Sequence, residues 1–442
     1  MDQKFSALRD SLCSTFFAAV ILFLGIACHA GGYLHWESSA FLLNYTAERS
    51  LLNIIFDPQK NDWGLYQCRE LSYFFDYLDA QIVFALLKAK LTWFISPSAI
   101  IFSLAAIWFQ QYAGRLLFPG LNGIFFTLHG AALALLPALT ESLFFRSSKY
   151  LVFAGSTFLI FGAALKYARR KTVFADTFVC GLAALITVFA DRQGIFFVTA
   201  FTGILAVMQF FRFSRSLRNL LPVLPPIIIF NVIANLYLVP QIVCAVNRYQ
   251  PDFSYQRDLE INDTLLSGGF EFFSANTGNF FTGLSTLSGA MTAGIILIAG
   301  IFLLLKQHRH LPCWLFPGAA ASIVCCCGLM VLRHPPLLDK DIIFSNYFLP
   351  SAAVMSFFYF AALDNLPEKI KKWCFLLPLF VICLRLYPYL YPEMLFRDDK
   401  YQKVYQDATI KFNYAVKHPD CNFKLLTLPY RMEMLLEKLK RR

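Results

Sequence analysis

The sequence predicts an all-α polytopic membrane protein with about eleven transmembrane helices. The chain has 442 residues, of which 57% are hydrophobic and 15% charged, and its mean hydropathy is +0.54. Soluble domains carry about 25% charged residues, so this composition argues against an ordinary soluble fold. The apolar residues gather in runs of about twenty, the length of a helix that crosses a bilayer. These runs cover residues 11–34, 97–114, 119–140, 150–167, 172–190, 195–212, 219–240, 281–305, 311–332, 346–363 and 373–391.

The first run sets the orientation of the chain. Lys4 and Arg9 precede it, and it is too long for the apolar core of a typical signal peptide, so we expect an uncleaved helix with a cytoplasmic N-terminus. If the runs alternate across the membrane, the basic short loops all fall on that same side, as the positive-inside rule requires. A missed or split helix near 80–118 or 385 would reverse part of this topology. The basic loop residues are Arg115, Lys166, Arg169, Arg170, Lys171, Arg212, Arg215, Arg218, Lys306, Arg309, Lys369, Lys371 and Lys372.

The long polar segments all fall on the opposite, extracytoplasmic side. They divide the chain into a transmembrane bundle over 1–391, with outer loops at 35–96, 241–280 and 333–345, and a small extracytoplasmic tail over 392–442. Within the first loop, residues 80–95 are apolar but interrupted by Lys88 and Lys90, which favours a helix lying in the membrane interface. The tail is expected to form a small cap, helical from Met432 onward, and substrate contact is the alternative role.

Charge and cysteine content exclude two other classes of protein. The net charge of +11 lies largely in short loops, where it sets orientation, so we expect no nucleic-acid partner. Most of the twelve cysteines fall inside apolar runs as small hydrophobic residues, and none has the spacing of a zinc site. We expect no metal and no cofactor. Whether any two of Cys68, Cys244 and Cys421 form a disulfide is left open.

The stretch Asn61–Ala80, NDWGLYQCRELSYFFDYLDA, concentrates charge in a chain that otherwise avoids it. If residues 65–79 are helical, Asp62, Tyr66, Arg69 and Tyr73 share one face, and Asp76 continues it. A carboxylate at the membrane edge that is paired with arginine stays ionised and can act as a general base. The alternative is a structural role, with Asp62 as a helix N-cap beside a surface network of charges.

Two further outer positions carry candidate binding residues. Asp191 and Arg192 lie at a tight junction between two apolar runs, where a simple polar turn is the alternative. Arg333 and Tyr347 flank a later outer loop, and arginine is the residue best suited to bind a phosphate group.

This order of parts resembles the GT-C class of polytopic glycosyltransferases. DWGLYQCRELS at 62–72 is similar to the pattern of acid, tyrosine and arginine in the first outer loop of that class. ESLFFRSSKYLVFAG at 141–155 and DRQG at 191–194 resemble its short arginine-bearing outer turns, and NYFLP at 346–350 resembles its late Arg-Tyr-x-x-Pro motif with Asn in place of Arg. Many members carry two adjacent acids, whereas Trp63 follows Asp62 here. The base could therefore also be Asp57, Glu70, Asp76 or Asp79.

The resemblance implies a GT-C-like fold and an inverting sugar transfer in a bacterial inner (plasma) membrane. A polyprenyl-phosphate sugar would be the donor, and a lipid-linked glycan, a cell-envelope polymer or a protein the acceptor. Asp62 would be the catalytic base, while Arg192, Arg333 or Arg146 would neutralise the departing lipid phosphate. The candidate substrate-binding residues are Tyr66, Arg69, Glu70, Asp76, Asp79, Arg146, Asp191, Arg192, Arg333 and Tyr347.

Three other functions compete with this interpretation. A transporter or flippase of a lipid-linked sugar would place ionisable residues within the spans and often has inverted repeats, whereas the charges of this chain gather at span ends and no repeat is visible. A polysaccharide polymerase or ligase would depend on a late loop rich in arginine, but the 241–280 loop is mainly acidic. A non-catalytic assembly protein is the third alternative.

Overall fold

The computed structural model describes the helical parts of the chain. The described residues are 2–28, 34, 36–45, 51–52, 70–136, 139, 147–169, 174–210, 232, 236, 348–390 and 400–441, with short fragments at 276–278, 280–282, 291–292, 294–296 and 298–299. These residues are all-helical, and no strand occurs among them. The all-α part of the predicted fold class is therefore confirmed.

The helices follow one another with short connections in the described ranges. They are α1 (Asp2–Cys28), α2 (Trp36–Tyr45), α3 (Glu70–Lys88), α4 (Pro97–Leu117), α5 (Gly123–Ala134), α6 (Ser147–Arg169), α7 (Phe174–Ala190), α8 (Arg192–Phe210), α9 (Leu349–Asp364), α10 (Glu368–Lys371), α11 (Leu376–Leu390), α12 (Lys400–Lys417) and α13 (Tyr430–Arg441), with a 3₁₀ turn at Phe423–Leu426.

Helix α6 occupies the centre of the bundle. It packs against α4, α7 and α9, while α1 packs against α4 and α5. Glycines allow α6 and α7 to approach closely, because a Cβ atom at Gly155 would lie 2.2 Å from Thr187 Oγ1 and one at Gly162 would lie 2.5 Å from Cys180 Sγ. Small residues serve the same purpose where helices associate in membranes.

Apolar length gives partial support for membrane insertion. Among the described residues, one helical segment, Phe5–Leu24 in α1, is long and apolar enough to span a membrane. Five apolar helices are shorter, namely Gly123–Ala134, Lys149–Ile160, Phe178–Ala190, Gln193–Ile204 and Leu349–Asp364. The predicted span at 311–332 lies outside the described residues, that at 219–240 is described only at 232 and 236, and that at 281–305 only in short fragments. The count of eleven spans remains a prediction.

The helix ends group at two opposite ends of the bundle. At one end, Arg115 at the C-terminus of α4 donates to Gly123 O at 2.9 Å and to Asp10 O at 3.4 Å. At the other end, the starts of α4 and α6 meet the junction between α7 and α8. We call this second end the loop end, because the predicted outer loop 35–96 packs there through α3.

A separate apolar core forms a small helical cap at the loop end. It is built from α2, the second half of α3, α12 and α13, and its buried side chains include Tyr45, Phe84, Phe412 and Met432. Part of the C-terminal tail therefore packs against part of the first long loop. Helix α13 contains the helix predicted from Met432 onward, whereas the sequence did not predict α12.

Candidate active site

Helix α3 brings three acidic side chains into the protein interior. Glu70, Asp76 and Asp79 are only 7%, 5% and 2% exposed, because the face of α3 that carries Asp76 and Asp79 packs towards α4, α6 and α7. Buried carboxylates are rare in proteins unless hydrogen bonds or charges compensate for the lost hydration. The partners of these acids therefore decide what each one can do.

Asp79 is held by hydrogen bonds at the start of α4. Its Oδ1 accepts the backbone N–H of Ser98 at 3.1 Å, in the first turn of that helix. Its Oδ2 accepts the hydroxyls of Ser96 and Ser98, and that of Tyr150 at 3.3 Å. A carboxylate at a helix N-terminus stabilises the unpaired N–H groups of the first turn. Asp79 therefore fastens α3 to α4 and α6.

The pKa of Asp79 reflects two opposing effects. Burial raises the pKa of this carboxyl above its usual value, and the hydrogen bonds from Ser96, Ser98 and Tyr150 counteract part of that increase. With so many donors directed at it, the carboxylate has little capacity left to take a proton from a substrate. We assign Asp79 a structural role on this basis.

A buried ion pair joins α6 to the junction between α7 and α8. Lys149 Nζ lies 2.8 Å from Asp191 Oδ2, and each side chain is 4% exposed. Asp191 Oδ1 also accepts the backbone N–H of Gln193 at 3.1 Å, which caps the start of α8. The polar-turn interpretation of Asp191 is thus correct in part, since the residue both caps a helix and neutralises a buried lysine.

The ion pair and two of the α3 acids, Asp76 and Asp79, belong to one polar cluster. Ser72 Oγ donates to Ala190 O at 2.6 Å, which ties the start of α3 to the residue just before Asp191. Lys149 and Tyr150 are neighbours in the chain, so the Asp191 pair and the Asp79 network adjoin. We call Ser72, Asp76, Asp79, Lys149, Tyr150 and Asp191 the loop-end cluster, and Glu70 lies two residues before Ser72 at the start of α3.

Glu70 has the acid–base property that suits catalysis near neutral pH. Desolvation raises the pKa of its carboxyl from 4.5 to about 7, opposed by a backbone hydrogen bond at the start of α3. A group with a pKa near the working pH exchanges protons most effectively with a substrate. Within the described part of the chain, Glu70 is the strongest candidate for a general acid or base.

The structure describes only some of the predicted site residues. Asp76, Asp79 and Asp191 come together in the loop-end cluster, Glu70 is buried at the start of α3, and Arg192 is the first residue of α8. Six predicted residues lie outside the described ranges, namely Asp62, Tyr66, Arg69, Arg146, Arg333 and Tyr347. In the described ranges, no group of three or more His, Cys, Asp and Glu residues could hold a metal ion.

The sequence alone did not single out Lys149 and Tyr150 as candidate site residues, although both lie in the 141–155 stretch that resembles an outer turn of the GT-C class. A lysine at the predicted outer end of an apolar run departs from the positive-inside rule, and that departure is the signal that could have identified Lys149. The partner serines Ser72, Ser96 and Ser98 carry no comparable signal, because serine is common at helix starts.

A second buried polar group lies inside the bundle and was also missed. Arg385, 6% exposed on α11, donates through Nη2 to Phe280 O at 3.3 Å and through Nη1 to Ala132 O near the C-terminus of α5. His129 on α5 lies 3.3 Å from Gln111 through Nδ1. A small cavity beside them is lined by His129, Phe280, Phe281, Tyr359, Pro378 and Arg385. Arg385 lies inside the predicted run 373–391, so its position departs from the expectation that charges gather at span ends.

No known family model matches this chain, and no curated protein sequence matches it either.

Proposed function

We propose that this chain is a membrane glycosyltransferase that moves a sugar from a polyprenyl-phosphate-linked donor to an extracytoplasmic acceptor, with inversion at the anomeric carbon. One observation carries the proposal. Three stretches that resemble GT-C motifs, at 62–72, 141–155 and 191–194, contribute side chains to the single loop-end cluster. Distant segments that converge on a buried, acid-rich position are typical of a catalytic site.

The acids have different roles in this proposal. Asp62 remains the proposed base, and it precedes Glu70, the first residue of α3, by eight residues. Glu70 is the alternative base, because its raised pKa leaves it half ionised near neutral pH. Asp79 is less suited to this role, because the donors that surround it already occupy its carboxylate.

The proposed reaction needs one proton acceptor and one source of positive charge. The base accepts the proton of an acceptor hydroxyl as its oxygen attacks the anomeric carbon, and the bond from that carbon to the phosphate oxygen breaks. Arg192, Arg333 or Arg146 would stabilise the negative charge on the departing lipid phosphate. Lys149 is less suited to this task, since its ammonium group is already bound by Asp191.

The proposed location is an inner (plasma) membrane, with the loop end on the extracytoplasmic side. The apolar segment of α1 and the five shorter apolar helices support membrane insertion. About eleven spans and a GT-C-like arrangement are part of the proposal. The donor lipid would enter from the bilayer, beside the ends of α4 and α6.

The test is sugar transfer by the purified protein in lipid vesicles. A set of polyprenyl-phosphate sugars with radiolabelled sugar groups would be supplied together with a membrane extract as the acceptor source. We expect the label to move to a covalent product that is stable to the mild acid that cleaves the donor. Complete retention of the label in the donor, for every sugar supplied, would refute the proposal.

A transporter of an amphiphilic substrate is the second candidate. Arg385 and His129 favour it, because ionisable residues inside a bundle often line transport routes. Uptake of labelled donor into sealed vesicles without a covalent product would support this candidate over the transferase.

A further inference from the structure

The outward face of α12 carries large apolar side chains. Ile410 and Tyr414, one turn apart, are 69% and 52% exposed. The opposite face of α12 packs inside the cap, where Phe412, Ala415 and Val416 are buried in its core. An apolar face that remains exposed after the helix has packed is typical of a surface that contacts something else.

The cap contacts the segments that follow the end of α1 and precede the start of α4. Thr409 on α12 accepts the backbone N–H of Leu34 at 2.9 Å, and Leu34 follows the end of α1 by only a few residues. Phe412 contacts the ring of Phe94 at a centroid distance of 6.1 Å, just before α4 begins at Pro97. In a membrane-embedded bundle, helix ends of this kind lie at the headgroup level. Helix α12 is therefore held at that depth.

The charge of the tail suits an anionic surface. Residues 400–442 contain ten lysines and arginines against four acids. Lys417 and Lys424 are both exposed. Apolar and tyrosine side chains next to lysines form the usual pattern of a helix that lies in the membrane interface.

The neighbouring helix of the cap has the same character. On α3 and just after it, Ile82 and Leu91 are 46% and 57% exposed, beside the exposed Lys88 and Lys90. Two elements of one cap thus expose apolar and basic residues together. A polar binding partner would leave these apolar side chains in water, whereas a lipid headgroup layer would cover them.

We propose that α12 lies on the bilayer that holds the bundle and binds anionic phospholipid headgroups. Ile410 and Tyr414 enter the interface, and Lys417 and Lys424 lie near the phosphates. This inference rests on the proposed membrane placement of the bundle, and it is independent of the sugar-transfer activity.

Photocrosslinking of the full-length protein tests the contact directly. Ile410 is replaced by p-benzoylphenylalanine, and the protein is reconstituted in vesicles of phosphatidylglycerol and phosphatidylethanolamine. We expect light to produce a lipid adduct on the α12 peptide, detected by mass spectrometry. The yield should fall several-fold in phosphatidylcholine vesicles, since each lysine near an anionic surface changes binding about fivefold.

Charge reversal and two controls complete the experiment. Lys417→Glu with Lys424→Glu should lower the adduct yield several-fold, whereas Lys369→Glu at the other end of the bundle should not change it. The same photoprobe at Phe16, 73% exposed on α1, should react with acyl chains in every vesicle. If the probe at position 16 reacts with lipid but the probe at position 410 gives no lipid adduct, the inference is overturned. Crosslinks from position 410 to protein instead of lipid overturn it as well. An unreactive Phe16 probe overturns the membrane placement and the inference together.

Discussion

Lys149 Nζ lies 2.8 Å from Asp191 Oδ2, and both side chains are almost fully buried at the loop end of the bundle. Lys149 lies in the first turn of α6 and Asp191 directly follows α7, while Tyr150, the next residue after Lys149, donates to Asp79 of α3. The pairing of Lys149 with Asp191 fixes α6 against the α7–α8 junction and keeps two charges compensated in a poorly hydrated place. The loop-end cluster therefore has a rigid base on which a reacting group could be positioned.

Removing one partner of this ion pair should destabilise the protein strongly. Lys149→Met leaves the Asp191 carboxylate buried without its ammonium partner, which costs about 3–5 kcal/mol in comparable cases. Adding Asp191→Asn should recover most of the loss, because the amide oxygen can still accept the Gln193 N–H. Thermal unfolding in one detergent measures both variants. If Lys149→Met alone were as stable as the wild type, the result would contradict the ion pair between Lys149 and Asp191.

Glu70→Gln should change the pH dependence of stability. The folded state raises the pKa of Glu70 from 4.5 to about 7, so its contribution is fully present below pH 4.5 and is lost as the pH rises through 7. Glutamine does not ionise and avoids this loss, which amounts to about 3 kcal/mol at alkaline pH. The unfolding temperatures of the two proteins should therefore diverge between pH 5 and pH 8.5, in favour of the variant. A constant difference across that range would contradict the raised pKa.

Asp79→Ala should weaken the fold without a specific effect on chemistry. The change removes the acceptor for the Ser98 N–H and for three hydroxyl groups, and we expect a loss of about 1–3 kcal/mol. The transfer rate per folded molecule should change less than tenfold. A stable Asp79→Ala protein with no transfer activity would return Asp79 to the list of candidate bases.

Gly155→Ala should force α6 and α7 apart. The new Cβ atom would lie 2.2 Å from Thr187 Oγ1 and 3.0 Å from the Thr187 backbone nitrogen, and overpacking of this kind costs about 1–3 kcal/mol. Gly203→Ala on α8 is the matched control, because no atom lies within 4 Å of its Cβ position. The control should be neutral or more stable by up to about 1 kcal/mol. Equal stability of the two variants would contradict the close packing.

The sequence was sufficient to predict helices and their approximate limits where apolar runs are long. It also singled out Asp191, which the structure places in a buried ion pair, since charge between two adjoining apolar runs is conspicuous. It could not assign roles to the acids of α3. Spacing places Asp76 and Asp79 near one face, but only the fold determines that Asp79 meets the start of α4.

The other features that the sequence did not predict depend on contacts between residues that are far apart in the chain. The sequence shows Arg385 as a charged residue within an apolar run, but its hydrogen-bond acceptors on α5 and at Phe280 are far away in the chain. Helix α12 has low hydrophobicity and lies in the tail that is predicted to form a cap, and it is held in place by Leu34 and Phe94, which are far away in the chain. The acceptors of Arg385 leave no signal in the local sequence, and the amphipathic pattern of α12 favours a helix without indicating which residues it packs against.

The most direct test of the proposed function is sugar transfer by the wild-type protein and by Asp62→Asn in identical vesicles. A general base contributes about 10²–10⁴-fold to rate, so the wild type should form the glycosylated product and the variant should lose at least about a hundredfold, with an unchanged unfolding temperature. Full activity of Asp62→Asn would move the base to Glu70. Absence of any covalent product from the wild type, together with uptake of the intact donor, would contradict the proposed function itself.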